Sequence, residues 1–342
     1  MERKIYLTGI KPTGELHLGN YCGSIKPILE ILKNEENIDV LFFIADHHAM
    51  TSQPNPAKLE RDTKEMMKSL VSIFHNTNNN NNRVYLYRQS KIPEIFEFSW
   101  ILSCFTAKGL LNRNHSYKQE RERNIASGKD EDRGIFAGLY NYPVLMSADI
   151  LSTGANYVPV GKDQIQHIEI ANDIADKINH FYNTEHFSKI YPIVERETML
   201  PGTDGQKMSK SYNNTVSLFD INEIKKYIYK IKTNFKEEGK PKYPEESNIS
   251  EVYRAFSTYH KEYYDFQKDM ENGKGWKELK DLTFQKVMNE LDEYILAYSH
   301  FKEIDFNKVL LEFLNGEELV SSFIKRNLDS LKLVCGLKGG DK

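Results

Sequence analysis

Cysteine is scarce in this 342-residue chain, and the three copies, Cys22, Cys104 and Cys335, stand far apart. No pair has the C-x-x-C spacing of a zinc site, and no disulfide framework is evident. The count is also odd, so a reduced compartment suits the chain best. We therefore expect neither a structural zinc ion nor disulfide cross-links.

Long apolar runs are missing as well. No segment approaches the roughly 18 apolar residues of a membrane span. The N-terminus leads directly into a short apolar stretch at residues 5–8, with no signal-peptide profile and no evident transit peptide. We expect a cytoplasmic protein without a membrane segment. An organellar protein whose presequence is missing from this chain is the alternative.

The chain has no excess of positive charge. It carries 46 Lys and Arg residues against 49 Asp and Glu residues, for a formal net charge of −3. An RNA-binding protein of this composition would need a local basic patch. The length is sufficient for a sizeable core and predicts two domains.

A glycine-rich segment, residues 11–23 (KPTGELHLGNYCG), lies between a predicted buried strand at residues 5–8 and a predicted helix that extends to about residue 32. A strand, a glycine-rich bend and a helix together present backbone N–H groups to phosphate. The spacing matches neither the dinucleotide fingerprint nor the P-loop. Its most distinctive part is the tetrad His17-Leu18-Gly19-Asn20, HLGN.

A second predicted strand, at residues 40–45 (VLFFIA), is apolar throughout, as in parallel sheets that are covered on both faces. Further strands are predicted at residues 84–87 and 157–160. Ligands bind at the carboxyl ends of such strands, where His47 and His48 follow the second one. Either histidine could instead cap a loop, and a zinc site would lack its other ligands.

Asp149 interrupts an apolar helical stretch, residues 145–151 (LMSADIL). A carboxylate among apolar side chains is costly unless it is paired. Its partner could be a helix terminus, an arginine or a ligand. Met146 lies three residues earlier on the same helical face.

Two lysines stand three residues apart in residues 207–211, KMSKS, after a turn-rich loop at residues 200–206. Lys207 and Lys210 could hold a polyphosphate, and Ser209 and Ser211 add hydroxyl donors. Taken alone, such a pentapeptide is more typical of a solvated loop.

These motifs occur in an order that resembles the bacterial-type tryptophanyl-tRNA synthetases, which are class I aminoacyl-tRNA synthetases. HLGN resembles their HIGH signature, with Asn20 in place of the last histidine, and KMSKS is unaltered. Residues 145–151 and 158–170 also resemble family motifs. The resemblance implies a tryptophan--tRNA ligase that converts L-tryptophan and ATP to tryptophanyl-adenylate and pyrophosphate, then transfers the tryptophanyl group to tRNA(Trp). It implies ATP with Mg²⁺ as co-substrate and no tightly bound metal.

The resemblance also implies roles for individual residues. The catalytic groups would be His17, Asn20, Lys207 and Lys210. Tryptophan would contact Leu7, His48, Tyr142, Met146, Asp149 and Gln164. Asp149 would accept the indole N–H, the one polar group of that ring, while Tyr142 and Gln164 would reach the amino group. ATP would contact Lys11, Pro12, Thr13, Gly19, Asn20, Gly161, Lys162, Asp163, Met199, Lys207, Met208, Ser209, Lys210 and Ser211.

The architecture implied by the resemblance is an α/β fold, with a Rossmann-like parallel-sheet nucleotide-binding catalytic domain at residues 1–219 and an all-helical anticodon-binding domain at residues 220–342. An insertion at about residues 85–135 would serve the dimer interface and the tRNA acceptor end, with Arg113, His115 and Lys118 as phosphate contacts. The partners would be tryptophan, ATP, tRNA(Trp) and a second copy of the chain. Amphipathic patterns predict helices at about residues 220–235, 250–272, 276–298 and 304–326.

Four positions depart from the family pattern. Leu7 stands where an aromatic residue is common, Lys11 where glutamine is common, Lys162 where glutamate is common and Ser147 where alanine is common. These departures affect expected affinities and inhibitor sensitivity, not the reaction class. The alternatives are a tyrosyl-type synthetase, a non-catalytic paralogue that binds RNA or senses tryptophan, and a generic nucleotidyltransferase, which would leave the helical C-terminal region unexplained.

Overall fold

The sheet has five parallel strands in the order β3-β2-β1-β4-β5. The structure, a computed structural model, describes residues 3–75, 77, 81–194, 200–257, 259–303 and 306–338. The α/β fold with a helical C-terminal region is confirmed. The strands are β1 Lys4–Ile10, β2 Ile38–Ile44, β3 Arg83–Arg88, β4 Tyr157–Val160 and β5 Tyr191–Val194.

Helices cover the sheet and form the C-terminal region. In the part of the chain that the structure describes, none is long and apolar enough to cross a membrane. The α-helices are α1 Leu18–Asn20, α2 Lys26–Asn34, α3 Asp46–Ala49, α4 Pro56–Phe74, α5 Glu94–Phe105, α6 Lys108–Asn112, α7 His115–Ala126, α8 Ala137–Thr153, α9 Ile165–Tyr182, α10 Ile221–Lys230, α11 Ile249–Phe256, α12 His260–Glu271, α13 Trp276–Glu303 and α14 Phe306–Val334.

The predicted helix after the HLGN tetrad is interrupted by a π-helical turn, Tyr21–Ile25. The backbone N–H of Lys26 donates to the carbonyl of Tyr21, five residues earlier. Pro27 follows in the first turn of α2. Proline has no N–H, and its ring conflicts with the carbonyl four residues before it, so a regular α-helix is unfavourable at this point. The wider turn accommodates the proline and places Gly23 and Ser24 on the side of the cavity described below.

The C-terminal helix α14 packs directly against the sheet. Arg88, at the end of β3, makes a bidentate ion pair with Glu317, at 2.6 and 2.9 Å. Gly316 lets the two backbones approach, because a Cβ there would lie 2.2 Å from the carbonyl oxygen of Leu86. Side chains of α14 belong to both main hydrophobic clusters of the sheet. The C-terminal region therefore completes the core, and the domain boundary at residue 220 stays a prediction.

The contact at Gly316 predicts a large stability effect. We expect Gly316→Ala to lower the free energy of unfolding by about 3 kcal/mol, because the backbone of β3 has no room for the added methyl group. Urea denaturation measures this. Gly109→Ala in α6 is the matched control, since its Cβ would meet open space and alanine favours a helix by about 1 kcal/mol. Equal stability of the two variants would contradict this account of the packing.

Candidate active site

One cavity of about 410 Å³ opens at the carboxyl ends of β1 and β4, where the chain order of the strands reverses. Such a reversal is where open α/β sheets bind ligands. All six residues predicted to contact tryptophan line this cavity, although the first and the last of them are more than 150 positions apart in the sequence. They are Leu7, His48, Tyr142, Met146, Asp149 and Gln164.

Asp149 is the buried polar centre of the cavity wall, with 1% of its surface exposed. The Nε2–H of His48 donates to its Oδ2 at 2.7 Å. The side-chain amide of Gln89 donates to Oδ1 at 2.8 Å and to Oδ2 at 3.0 Å. Among the described residues, neither an arginine nor a helix terminus pairs with this carboxylate, so two of the sequence alternatives fail there. Gln89 was missed because its link to Asp149 spans 60 residues of sequence.

The hydroxyl of Tyr142 is held by a network that the sequence did not reveal. His167 Nε2 lies 2.8 Å from it, and Ser116 Oγ lies 3.1 Å away. Asn114 donates to the same oxygen at 3.2 Å, while its Oδ1 caps the first turn of α7. The network therefore connects the cavity to the insertion that was predicted to contact tRNA.

His17 and Asn20 of the HLGN tetrad cap the short helix α1 reciprocally. The backbone N–H of Asn20 donates to His17 Nδ1 at 3.2 Å, and the backbone N–H of His17 donates to Asn20 Oδ1 at 3.3 Å. Since Nδ1 of His17 accepts a hydrogen bond, the proton of the neutral ring lies on Nε2. Burial, with the positive charge of Lys210, lowers the pKa of His17 to about 4. The tetrad thus offers a neutral N–H donor near neutral pH.

The KMSKS segment is joined to the glycine-rich segment. Lys210 Nζ donates to the carbonyls of Thr13 and Glu15, both at 2.7 Å. Leu18 and Leu218 donate their backbone N–H groups across an antiparallel contact to Val216 and Leu16, each at 3.0 Å. The two signatures therefore lie side by side, as the resemblance requires.

The side chains of KMSKS differ in their environments. Met208 is buried in the core, and a Cβ added at Gly19 would lie 3.4 Å from the Cβ of Met208. Ser209 and Ser211 hydrogen-bond each other at 2.8 Å. Lys207 is exposed. Met208 therefore anchors the segment, while Lys207 can reach a ligand from solvent.

Asn214 organises the same loop and was missed in the sequence. It is buried, and its amide donates to Asp204 at 2.8 Å and to the carbonyl of Lys207 at 3.0 Å. Its oxygen accepts the backbone N–H of Ser209 at 2.7 Å. A polar residue three positions after KMSKS in a turn-rich stretch gave no signal that distinguished it from a solvated loop residue.

Two of the other predicted ATP contacts lie at the cavity. Lys11 and Gly161 line it. Lys162 and Asp163 follow in a 3₁₀ turn that ends at Gln164, and Gln164 donates to Asp163 at 2.7 Å. The remaining predicted ATP contacts are Pro12, which is buried, Thr13, whose carbonyl accepts from Lys210, and Met199, which lies outside the described residues.

No group of three His, Cys, Asp or Glu side chains that could hold a metal ion occurs within the described ranges. His48 pairs with Asp149, whereas Nδ1 of His47 lies 3.8 Å from Oδ1 of Asp46. The two histidines therefore do not form a shared metal site. The absence of a resident metal stays a prediction.

Two buried imidazoles make the stability depend on pH. Burial and the positive charge of Lys210 lower the pKa of His17 to about 4. Burial lowers the pKa of His167 to about 4 as well. The unfolded chain protonates these rings near pH 6.5, so it binds more protons than the folded chain between about pH 4 and 6.5. Stability is therefore complete above about pH 6.5 and falls as the pH falls through this window.

Asparagine at position 17 keeps a good helix N-cap. We expect a change from pH 7 to pH 5 to lower the free energy of unfolding of His17→Asn by about 1 kcal/mol less than that of the wild type. Urea denaturation at the two pH values measures the change. His300→Asn, at an exposed histidine of α13, is the control and should leave the loss unaltered. An identical pH dependence for wild type and His17→Asn would show that His17 is not held neutral.

The family model for tRNA synthetases class I (W and Y) matches residues 1–292. The chain belongs to this family of class I aminoacyl-tRNA synthetases. Among its curated relatives, the tryptophan--tRNA ligase of Neisseria meningitidis is 42% identical over 295 residues, which cover 86% of each chain. The tryptophan--tRNA ligase of Bordetella pertussis is 43% identical over 290 residues, 83% of this chain but only 62% of that protein, so the match spans less than two thirds of this longer relative.

A solved structure gives the same assignment. The crystal structure of tryptophanyl-tRNA synthetase from Campylobacter jejuni, described as complexed with ADP and tryptophan, superposes with a TM-score of 0.77 and 34% sequence identity. The superposition covers 97% of this chain and 99% of that one. The family resemblance read from the motifs is confirmed over nearly the whole chain.

Proposed function

We propose that the protein is a tryptophan--tRNA ligase, which activates L-tryptophan with ATP and transfers the tryptophanyl group to tRNA(Trp). The observation that carries the proposal is the buried Asp149 in a cavity that the apolar side chains of Leu7, Phe43 and Met146 also line. An indole ring needs an apolar slot and one hydrogen-bond acceptor for its N–H. The relatives named above, which are tryptophan enzymes, support the same substrate.

ATP is the proposed co-substrate, with Mg²⁺ bound to its phosphates. The Campylobacter protein is described with ADP and tryptophan together, which supports a nucleotide beside the amino-acid pocket. His17 would donate Nε2–H to a phosphate, with Asn20 holding the ring, while Gly161 and Asp163 would face the ribose. Lys207 and Lys210 would stabilise the charge on the departing pyrophosphate. Catalysis would be positioning and charge stabilisation, without a covalent enzyme intermediate.

The tRNA would approach along the insertion and the helical C-terminal region. Arg113 directly precedes Asn114, the N-cap of α7 that also bonds Tyr142, and His115 and Lys118 lie in the first turn of that helix. The proposed anticodon-binding unit at residues 220–342 carries Lys225, Lys226, Lys230 and Lys232, all exposed. A local basic patch of this kind is what a chain of net charge −3 needs to bind RNA.

We propose that exposed apolar side chains of the insertion form the interface of a homodimer. Trp100 in α5 has 71% of its surface exposed, and Phe96 lies one turn before it. Ile125 of the insertion is also exposed, as are Phe136, just after the insertion, and Phe181 in α9. Monomeric soluble proteins seldom expose large contiguous apolar patches, so we propose that Phe96 and Trp100 face a second copy, with a two-fold arrangement as the default. We further propose a cytoplasmic location.

The experiment is amino-acid-dependent ATP–pyrophosphate exchange, run with each of the twenty amino acids and no tRNA. Exchange with tryptophan alone is the expected result, because the adenylate forms before tRNA is needed. Exchange with tyrosine would retain the family and overturn the assignment of Asp149 to an indole. A folded protein that exchanges with no amino acid would be a non-catalytic paralogue, and the proposal would fail.

A further inference from the structure

Gln89 is fully buried directly after β3 and uses both ends of its amide. Its oxygen accepts the backbone N–H of His48 at 3.3 Å, and its nitrogen donates to both oxygens of Asp149. Because the oxygen must face the N–H of His48, the NH₂ group must face the carboxylate. Gln89 is not among the residues that line the cavity, so it acts on the site only through its neighbours.

We propose that Gln89 is a positioning residue that fixes the Asp149 carboxylate for the indole N–H and thereby sets the preference for tryptophan over isosteric amino acids that lack this N–H. The inference rests on the proposed function and deepens it. It identifies Gln89, which contacts Asp149 from outside the cavity wall, as a determinant of substrate preference.

The physical reason lies in the freedom of a carboxylate. The terminal torsion of an aspartate side chain has a broad, shallow preference, so the plane of the carboxylate is set by its partners. In this site Oδ2 accepts from His48 and Gln89, whereas Oδ1 accepts from Gln89 alone. The three contacts define the plane of the group. Oδ1 keeps acceptor capacity, and the indole N–H could use it.

Two substitutions separate the positioning contact from the rest of the side chain. Gln89→Glu keeps the size and the acceptor for the His48 N–H, but it replaces the neutral amide donor with a second carboxyl group, which must share a proton with Asp149. Gln89→Met has a similar length and loses both contacts. Gln285→Glu, at an exposed position of α13, makes the same chemical change far from the carboxylate and serves as the control.

The test measures kcat/KM in ATP–pyrophosphate exchange for tryptophan and for 3-(benzothiophen-3-yl)alanine, in which sulfur replaces the indole N–H. We expect the ratio of the two values to fall about tenfold in both Gln89 variants and to stay unchanged in Gln285→Glu. If one Gln89 variant does not give a cooperative thermal transition, the other carries the test. A purely structural role would lower both kcat/KM values equally, and an unchanged ratio in the folded variants would overturn the inference alone. A wild-type chain that activates neither amino acid would overturn the proposed function as well.

Discussion

Asp149→Asn is expected to lower kcat/KM for tryptophan about 100- to 1,000-fold in ATP–pyrophosphate exchange. The carboxylate accepts from His48 and Gln89 at 2.7–3.0 Å, and in the proposed complex it also accepts the indole N–H. An amide in its place turns an NH₂ group toward donors. Each unsatisfied buried donor costs about 1–3 kcal/mol, so loss of the indole contact and conflict with one protein donor account for this range.

Two controls separate this effect from general damage. Asp173→Asn makes the same change at an exposed position of α9 and should keep wild-type kinetics. The affinity of Asp149→Asn for ATP should stay within about threefold of wild type, because no proposed ATP contact involves Asp149. A folded Asp149→Asn enzyme that activates tryptophan with wild-type kcat/KM would remove the basis for tryptophan as the substrate.

Lys207→Met is expected to lower kcat for the exchange reaction about 100- to 1,000-fold and to leave tryptophan binding unchanged. Removing one preorganised group that stabilises transition-state charge has effects of this size. Lys207 is the cleaner choice of the two lysines. Lys210 also holds the carbonyls of Thr13 and Glu15, so its loss would loosen the glycine-rich segment in addition to removing a charge.

The control for this substitution is Lys189→Met, at an exposed lysine outside the site. Tryptophan affinity, measured by isothermal titration, should be equal in wild type, Lys207→Met and the control. A variant that keeps full kcat would show that Lys207 does not face the pyrophosphate. A variant that instead loses tryptophan affinity would place the KMSKS segment at the amino-acid pocket.

The strands that could be predicted are those with strong apolar runs. Residues 40–45, 84–87 and 157–160 were predicted as strands, and the structure has Ile38–Ile44, Arg83–Arg88 and Tyr157–Val160. The fifth strand, Tyr191–Val194, was missed because it is short, lies at the sheet edge and contains a proline. Such a segment has no periodic apolar pattern to detect.

The sequence predicted that the C-terminal region is helical, but it did not predict where one helix ends and the next begins. One helix was predicted over residues 250–272, whereas α11 ends at Phe256 and α12 begins at His260. Tyr259 is extended, and its backbone N–H donates to Glu262 in a capping box. This break lies within a continuous amphipathic pattern, and only the local backbone geometry reveals it.

The sequence indicated the motif residues of the site but not the residues that hold them. Met146 and Asp149 share a helical face, and His48 follows a buried strand, so both signals were local. Gln89 and Asn214 stabilise the site through contacts with residues that are distant in the sequence or hidden in loops. Their amide side chains look the same in a sequence whether they are solvated or buried, which is why no pattern could find them.

The most direct measurement of the central claim is aminoacylation of a tRNA(Trp) transcript by the purified chain with radiolabelled tryptophan and ATP. We predict acid-precipitable label on the tRNA that requires ATP and is lost in Asp149→Asn. A chain that forms the adenylate but never labels tRNA(Trp) would contradict the proposed ligase, as would a chain that attaches tyrosine to tRNA(Tyr) instead.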